Sequence, residues 1–217
     1  MGYQSPPTKA AHGTFVFIIY LYSGLLPWNA FAETLIRNSG SLVTNAGFLR
    51  KLPMPEQIFV AKETMTGFYQ SLATLILFAL FAILAAGSGV HPEWLQAIPM
   101  LMLFMAFAYG LGLILSAVNV FFRDIQPLMS VLIILWMWLT PVVYNESVFN
   151  SPRHQWILTL MHFNPAYHFI KGFQVSIYEA NWITPRRWLI CIGLCAIVNL
   201  LAIPVLGKLR AEIRDAL

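Results

Sequence analysis

Charge is scarce in this chain: of 217 residues, 10% are charged while 59% are hydrophobic, and the mean hydropathy is +0.69. So little polar side-chain surface cannot keep a chain of this length soluble as a globule, which assigns it to lipid. The net charge of +4 and the pI of 9.2 come from scattered Lys and Arg rather than from a basic patch, and they argue against a nucleic-acid partner. Cysteine is down to two residues, Cys191 and Cys195, placed four apart on one face of the last apolar run. They read as small packing residues, with a disulfide or a metal site as the alternative.

Chemical signatures are missing as well. The sequence has no GxxxxGK[ST] phosphate loop, so ATP hydrolysis does not belong to it, and no GxSxG, HExxH or close pair of intramembrane carboxylates that would suggest a membrane hydrolase. Few charges fall inside the apolar runs, which leaves a proton or ion relay with little to use. His12, His91, His154, His162 and His168 lie in or near connections without a neighbouring Cys or carboxylate pair, and no metal site is read from them. The opening MGYQSPPTKAAH lacks the apolar core of a cleavable signal peptide.

What is present is a set of long apolar runs. Five are expected to be spanning helices, at about 15–35, 66–86, 95–120, 127–144 and 188–205. No period-2 alternation suggests barrel strands, so the fold class is all-α and polytopic. Between Asn145 and Arg187 the apolar pieces 156–163 and 166–170 are too short to cross and are split by Asn164-Pro165, which predicts a re-entrant or interfacial helical hairpin.

Positive charge orients these spans. Arg37, Arg50, Lys51, Lys62, Arg123, Lys208, Arg210 and Arg214 fall on one side; the smaller set Lys9, Arg153, Lys171, Arg186 and Arg187 falls on the other, mostly in one long loop. The first side is therefore cytoplasmic. This topology puts the amino terminus outside, and the expectation is that an upstream cytoplasmic segment and one further span precede Met1 in the gene. An in-frame stop just before Met1, with no apolar run beyond it, would remove that expectation.

Local motifs add detail. Pro27 and Trp28 sit mid-run in SGLLPWNAF, where the proline removes a backbone hydrogen bond and is expected to bend the helix. Glu33 and Arg37 are spaced to pair at i, i+4. Asn38 to Gln57 reads as a cytoplasmic connection holding a short amphipathic helix that presents Phe48, Leu49, Arg50 and Lys51, either to a soluble partner or simply as a positive anchor. Ala108, Gly112 and Ser116 form a small-residue stripe for close helix packing. The adjacent Arg123 and Asp124 mark the cytoplasmic edge of the fourth run, as an ion pair, a helix cap or a solvated loop. Tyr20, Tyr22, Trp28, Trp136, Trp138 and Tyr144 cluster in two spans; most read as a membrane-interface belt, with a sugar-stacking conduit as the other possibility.

Taken together, GLLPWNAF, SLVTNAGFLRKLPMP, SAVNVFFRDI, the run to LTPVVY and FNPAYHFIKGF occur in an order that resembles ABC type-2 permeases exporting polysaccharides, of the O-antigen, capsule and teichoic-acid branch. The resemblance runs from about Tyr20 to the end, as a single transmembrane domain over 1–217. It implies six spans and an amino-terminal amphipathic helix, of which this sequence lacks the helix and the first span. It further implies that Asn45, Phe48, Leu49, Arg50, Lys51 and Pro53 belong to the loop that meets a separate ATPase, and that Arg123 and Asp124 form a second cytoplasmic landmark. Pro141, Asn164 and Pro165 would belong to the outer gate. No catalytic residue and no cofactor are implied on this chain; ATP and Mg belong to the partner. The implied partners are an ABC ATPase, a second copy of the permease, membrane lipids and a lipid-linked glycan, in the bacterial inner membrane. The alternatives are an ABC type-2 exporter of a drug or lipid, a membrane enzyme of lipid-linked sugar metabolism, and a passive channel.

Overall fold

The computed structural model describes residues 8–51, 54–86, 91–144, 146 and 155–216. Eight helices and two short tighter or wider turns make up these residues: α1 (Thr8–Thr44), α2 (Ala46–Lys51), α3 (Gln57–Ala86), a 3₁₀ turn (Pro92–Gln96), α4 (Ala97–Phe121), α5 (Ile125–Leu139), α6 (Gln155–Phe163), α7 (Pro165–Phe173), a π-helical turn (Gln174–Tyr178) and α8 (Pro185–Ala216). No strand occurs among the described residues. The protein is an all-α polytopic membrane protein, and four of its helices are long and apolar enough to cross a bilayer: Phe15–Thr44, Gln57–Leu84, Pro92–Phe121 and Pro185–Arg210.

Several boundaries differ from the sequence expectation. The segment from Asn38 to Thr44 is not part of a connection but the last two turns of α1, and α3 begins at Gln57 rather than near Thr66. Hydropathy marks the lipid-crossing portion of a helix, whereas the helix itself continues for as long as it keeps a buried face. Asn38, Ser39, Ser41 and Leu42 supply that face. The fourth run also ends early, at Leu139 rather than Tyr144. Thr140 is extended (φ −109°, ψ 132°) because the residue before a proline avoids the helical region. At 15 residues, α5 is about 22 Å long, short of the roughly 30 Å of a hydrocarbon core.

Around the central α4 pack α1, α3, α7 and α8. The stripe Ala108, Gly112 and Ser116 is buried as expected. A side chain at Gly112 would collide with Asn38, so the glycine permits α1 to lie close enough for Asn38 Nδ2 to donate to Ala108 O (3.3 Å) and Thr64 Oγ1 (3.0 Å). This joins α1, α3 and α4 through one buried amide, a sound use of a polar group where water is absent. Cys191 and Cys195 are buried free thiols on α8; Cys195 Sγ donates to Leu103 O of α4 at 3.0 Å. They pack, as their spacing predicts.

Two clusters form the interior. The larger is aromatic, with Phe31 stacked on Phe104 (centroids 4.4 Å apart) and Phe104 on Phe169 (4.9 Å), and it reaches α7. The smaller lies at the end where α1 stops and α8 finishes, and includes Leu42, Leu49, Val60, Leu113, Leu206 and Ile213. By the charge count that is the cytoplasmic end.

Candidate functional site

The end of the bundle where α1 stops and α8 finishes carries both loops singled out by the sequence. After Thr44, Asn45 turns the chain: its Nδ2 donates to Ser41 O (2.7 Å), and its own carbonyl accepts from the amides of Phe48 (3.0 Å) and Leu49 (3.2 Å) to start α2. The six residues of α2 divide by face. Leu49 is 4% exposed within the smaller cluster, Phe48 is 60% exposed, and Arg50 and Lys51 are exposed without an ion pair among the described residues. Leu49 is therefore an anchor rather than part of the presented surface, because successive helical positions turn by about 100° and it points back at the bundle, on the side where Ala46 also packs. Pro53 lies outside the described residues, as do Asn145, Arg153, His154 and the side chains of Lys9, His12 and Arg214.

Behind α2 the chain is held by Glu56, 1% exposed, whose Oε2 accepts from Arg210 Nε at 2.9 Å. This bond ties the entry to α3 to the end of α8, 154 positions away in sequence. The spacing of the two residues carried no hint of it.

Arg123 and Asp124 lie between α4 and α5, and both are exposed. They make no ion pair with each other, and Asp124, although it precedes α5, caps nothing with its side chain. The amide that a cap would satisfy is taken instead by Asn119, whose Oδ1 accepts from Gln126 N at 3.2 Å. Two readings of the pair, ion pair and cap, are thus corrected. The loop stays near the α2 end of α1, since any side chain at Gly40 would meet Gln126.

The six aromatics do not form one belt. Trp28 is 1% exposed and packs edge-on against Trp136 (6.2 Å), so it is a core residue. Trp136 is half-buried and donates from Nε1 to Asn164 Oδ1 (2.8 Å). Tyr20 meets Tyr178 (5.0 Å), and Tyr22 stacks with Phe78 (5.8 Å). Tyr144 donates to Trp138 O (2.8 Å), while the Trp138 ring is 61% exposed. Burial decides between core and belt, and sequence spacing does not report it.

At the opposite end, the expected hairpin is present as α6 and α7, broken at Asn164-Pro165. Asn164 is its hub. Its Oδ1 caps α7 through Ala166 N (3.1 Å) as well as accepting from Trp136, and its Nδ2 donates to Thr140 Oγ1 (2.8 Å) and Leu139 O (3.3 Å). Pro165 takes the first helical position, where its missing N–H costs nothing. Gln174 Nε2 donates to Pro141 O (2.9 Å), a second strap from this hairpin to the end of α5. Beyond it, Lys171 Nζ bridges Glu146 (2.9 Å) and Glu179 (3.2 Å), and Tyr167 Oη donates to Glu146 Oε2 (2.9 Å). Burial pushes the Glu146 carboxyl up, but the hydrogen bond and charge of Lys171 and the Tyr167 hydroxyl outweigh it, leaving Glu146 below its ordinary value.

Residues 7–178 match the family model described as ABC-2 type transporter. The O-antigen export system permease protein RfbA of Klebsiella pneumoniae is 27% identical over 150 residues, covering 69% of this chain and 56% of the relative. The protein of the same name from Myxococcus xanthus is 27% identical over 165 residues, covering 75% of this chain and 62% of the relative. The chain thus matches less than two thirds of the length of these relatives. With long apolar helices, a short amphipathic helix and a Pro-broken hairpin inside the matched region, the chain belongs to the ABC-2 type transporter family.

Proposed function

We propose that this chain is the permease subunit of an ATP-driven exporter that moves a lipid-linked polysaccharide across the bacterial inner membrane. A separate ATPase chain supplies ATP and Mg, and a second copy of the permease completes the conduit. The observation that carries the reading is the division of α2: Leu49 holds the helix to the bundle while Phe48, Arg50 and Lys51 face outward, without an intramolecular ion pair among the described residues. An apolar ring followed by two cations on a short helix seated through Leu49 is suited to docking an energy-supplying partner. The polysaccharide is supported by the names of the relatives, which are O-antigen export permeases. The second copy is supported by α5, which packs mainly on α1 and α4 and leaves Leu128, Val131, Leu135 and Trp138 exposed.

Replacing Arg50 and Lys51 together with Glu is expected to abolish export while membrane insertion and the unfolding midpoint stay at wild-type values. Export at the wild-type rate would overturn the docking role. In a strain lacking the chain, the polymer should accumulate inside the cell; a drug or lipid exporter would leave polymer export unchanged.

A further inference from the structure

Between α1 and α3 runs a cleft that none of the expected roles accounts for. Its polar part, about 210 Å³ in volume, has Asn29, Glu33 and Arg37 of α1 on one wall and Gln70, Ser71 and Thr74 of α3 on the other. A largely apolar hollow of about 350 Å³, where Tyr22, Phe78 and Phe81 lie, shares Leu26 and Thr74 with it, so the two are continuous along the helix pair. Tyr22 meets Phe78, Thr34 meets Gly67 and Asn38 meets Thr64, so the helices run antiparallel and position along them reports depth. Glu33 and Arg37 lie nearest the charged edge that the charge count makes cytoplasmic, Asn29 and Gln70 come next, and the aromatic rings of the hollow lie deepest. From Arg37 to Tyr22 the helix rises about 22 Å, close to one leaflet of a bilayer that is roughly 40–45 Å thick with its headgroups.

Charge and hydrogen bonding narrow the occupant. Glu33 and Glu63 flank Arg37 at 3.6 and 3.8 Å, and Lys62 answers Glu63 at 3.2 Å, so two carboxylates and two cations balance. Such a site favours neither a net anion nor a net cation, yet it shows both signs. The two Arg37 contacts are longer than hydrogen bonds; the guanidinium makes none among the described residues, and its Nε is buried without a partner. Gly67 leaves this guanidinium room against α3, since a Cβ there would come within 3.2 Å of Nη2. The Glu33 carboxylate is exposed, and its one ion pair among the described residues is the long contact to Arg37. A fork suited to phosphate thus stands beside an acceptor suited to an ammonium. Deeper in, Asn29 and Gln70 are exposed, and neither side-chain amide has a hydrogen-bond partner among the described residues. Each can donate to an ester carbonyl. Phosphate and ammonium, then esters, then hydrocarbon is the order of groups along a zwitterionic glycerophospholipid.

We infer that this cleft holds a phosphatidylethanolamine of the cytoplasmic leaflet, its phosphate on Arg37, its ammonium on Glu33, its ester carbonyls on Asn29 and Gln70, and an acyl chain along Tyr22, Phe78 and Phe81. The lipid is a resident of the α1–α3 pair, separate from the exported molecule, so the site stands whether or not the export reading does. Phosphatidylglycerol lacks the cation for Glu33. Phosphatidylcholine has a cation, but its quaternary nitrogen carries no N–H to donate.

The test uses the full chain in nanodiscs of phosphatidylethanolamine, phosphatidylcholine and phosphatidylglycerol in equal amounts with identical acyl chains, and reads the retained lipid by native mass spectrometry. Wild type should retain phosphatidylethanolamine about tenfold over each of the others, the worth of one charge-assisted hydrogen bond. Glu33→Gln should remove that preference while the unfolding midpoint in lipid-free detergent stays unchanged, because an exposed ion pair contributes little to stability. N29L/Q70L should lower retention of all three lipids alike, since the ester carbonyls are common to them, and both positions are exposed enough to take Leu without repacking. Equal retention of the three lipids by wild type, a preference for phosphatidylglycerol, or an undiminished preference in Glu33→Gln would each overturn the site. Unchanged retention in N29L/Q70L would overturn the placement of the ester carbonyls.

Discussion

Asn164 is the residue on which the outer end turns, because one side chain serves α5, α7 and the strand-like exit at Thr140. Asn164→Ala would leave the Trp136 N–H, the Ala166 N–H and the Thr140 hydroxyl without this partner at once. A loss of about 2–4 kcal/mol is expected, read as a lowered unfolding midpoint in detergent. Asn164→Asp keeps the acceptor and should cost less. The sequence marked this position as a break before a proline, but it could not show the bonds to Trp136 and Thr140, which are 28 and 24 positions away. Leu49 teaches the converse: it was grouped with its presented neighbours, and only its burial against Leu42 and Ile213 separates it from them. Leu49→Ala is therefore expected to loosen α2, raising protease sensitivity in that loop, whereas Phe48→Ala should leave the fold intact.

Among the helices, close approach depends on a few small residues. Gly112 lies against Asn38 and Gly67 against Thr34, so α1 can pack on α4 and α3 at short range. Gly112→Val would force α1 and α4 apart and break the Asn38 bonds to Thr64 and Ala108, with an expected loss of about 2–4 kcal/mol measurable by thermal unfolding. The stripe containing Gly112 was legible from its spacing of four. Gly67 opposite Thr34 was not, since a lone glycine in an apolar run has no period to announce it. Element ends were also poorly legible: α1 runs nine residues beyond Leu35 to Thr44, because buried Asn38, Ser41 and Leu42 keep it helical after the apolar run has weakened.

Across the whole molecule, two ion-pair anchors lie at opposite ends, one joining Glu56 to Arg210 and the other joining Lys171 to Glu146 and Glu179. Arg210→Ala should destabilise more than Glu56→Gln, because it leaves the carboxylate buried without the guanidinium; comparing the two unfolding midpoints checks the order. The outer anchor should depend on pH. Glu146 has a folded pKa below its ordinary value of 4.5, so its contribution is complete above that value and is lost as pH falls through the lower, folded value. The stability difference between wild type and Glu146→Gln should be constant near neutrality and shrink in acid. A difference that grew in acid would reverse the assigned sign. Composition determined that this protein lives in a membrane, since 59% hydrophobic residues with 10% charge leave no soluble alternative, and long apolar runs without period-2 alternation determined that it is helical. The order of its motifs was equally legible. Only the tertiary structure decided that Trp28 is core while Trp138 is exposed, that Asn119 rather than Asp124 meets the start of α5, and that Asn29 and Gln70 face one cleft. Periodicity specifies which face of a helix a residue occupies, whereas what lies against that face depends on contacts between segments far apart in sequence.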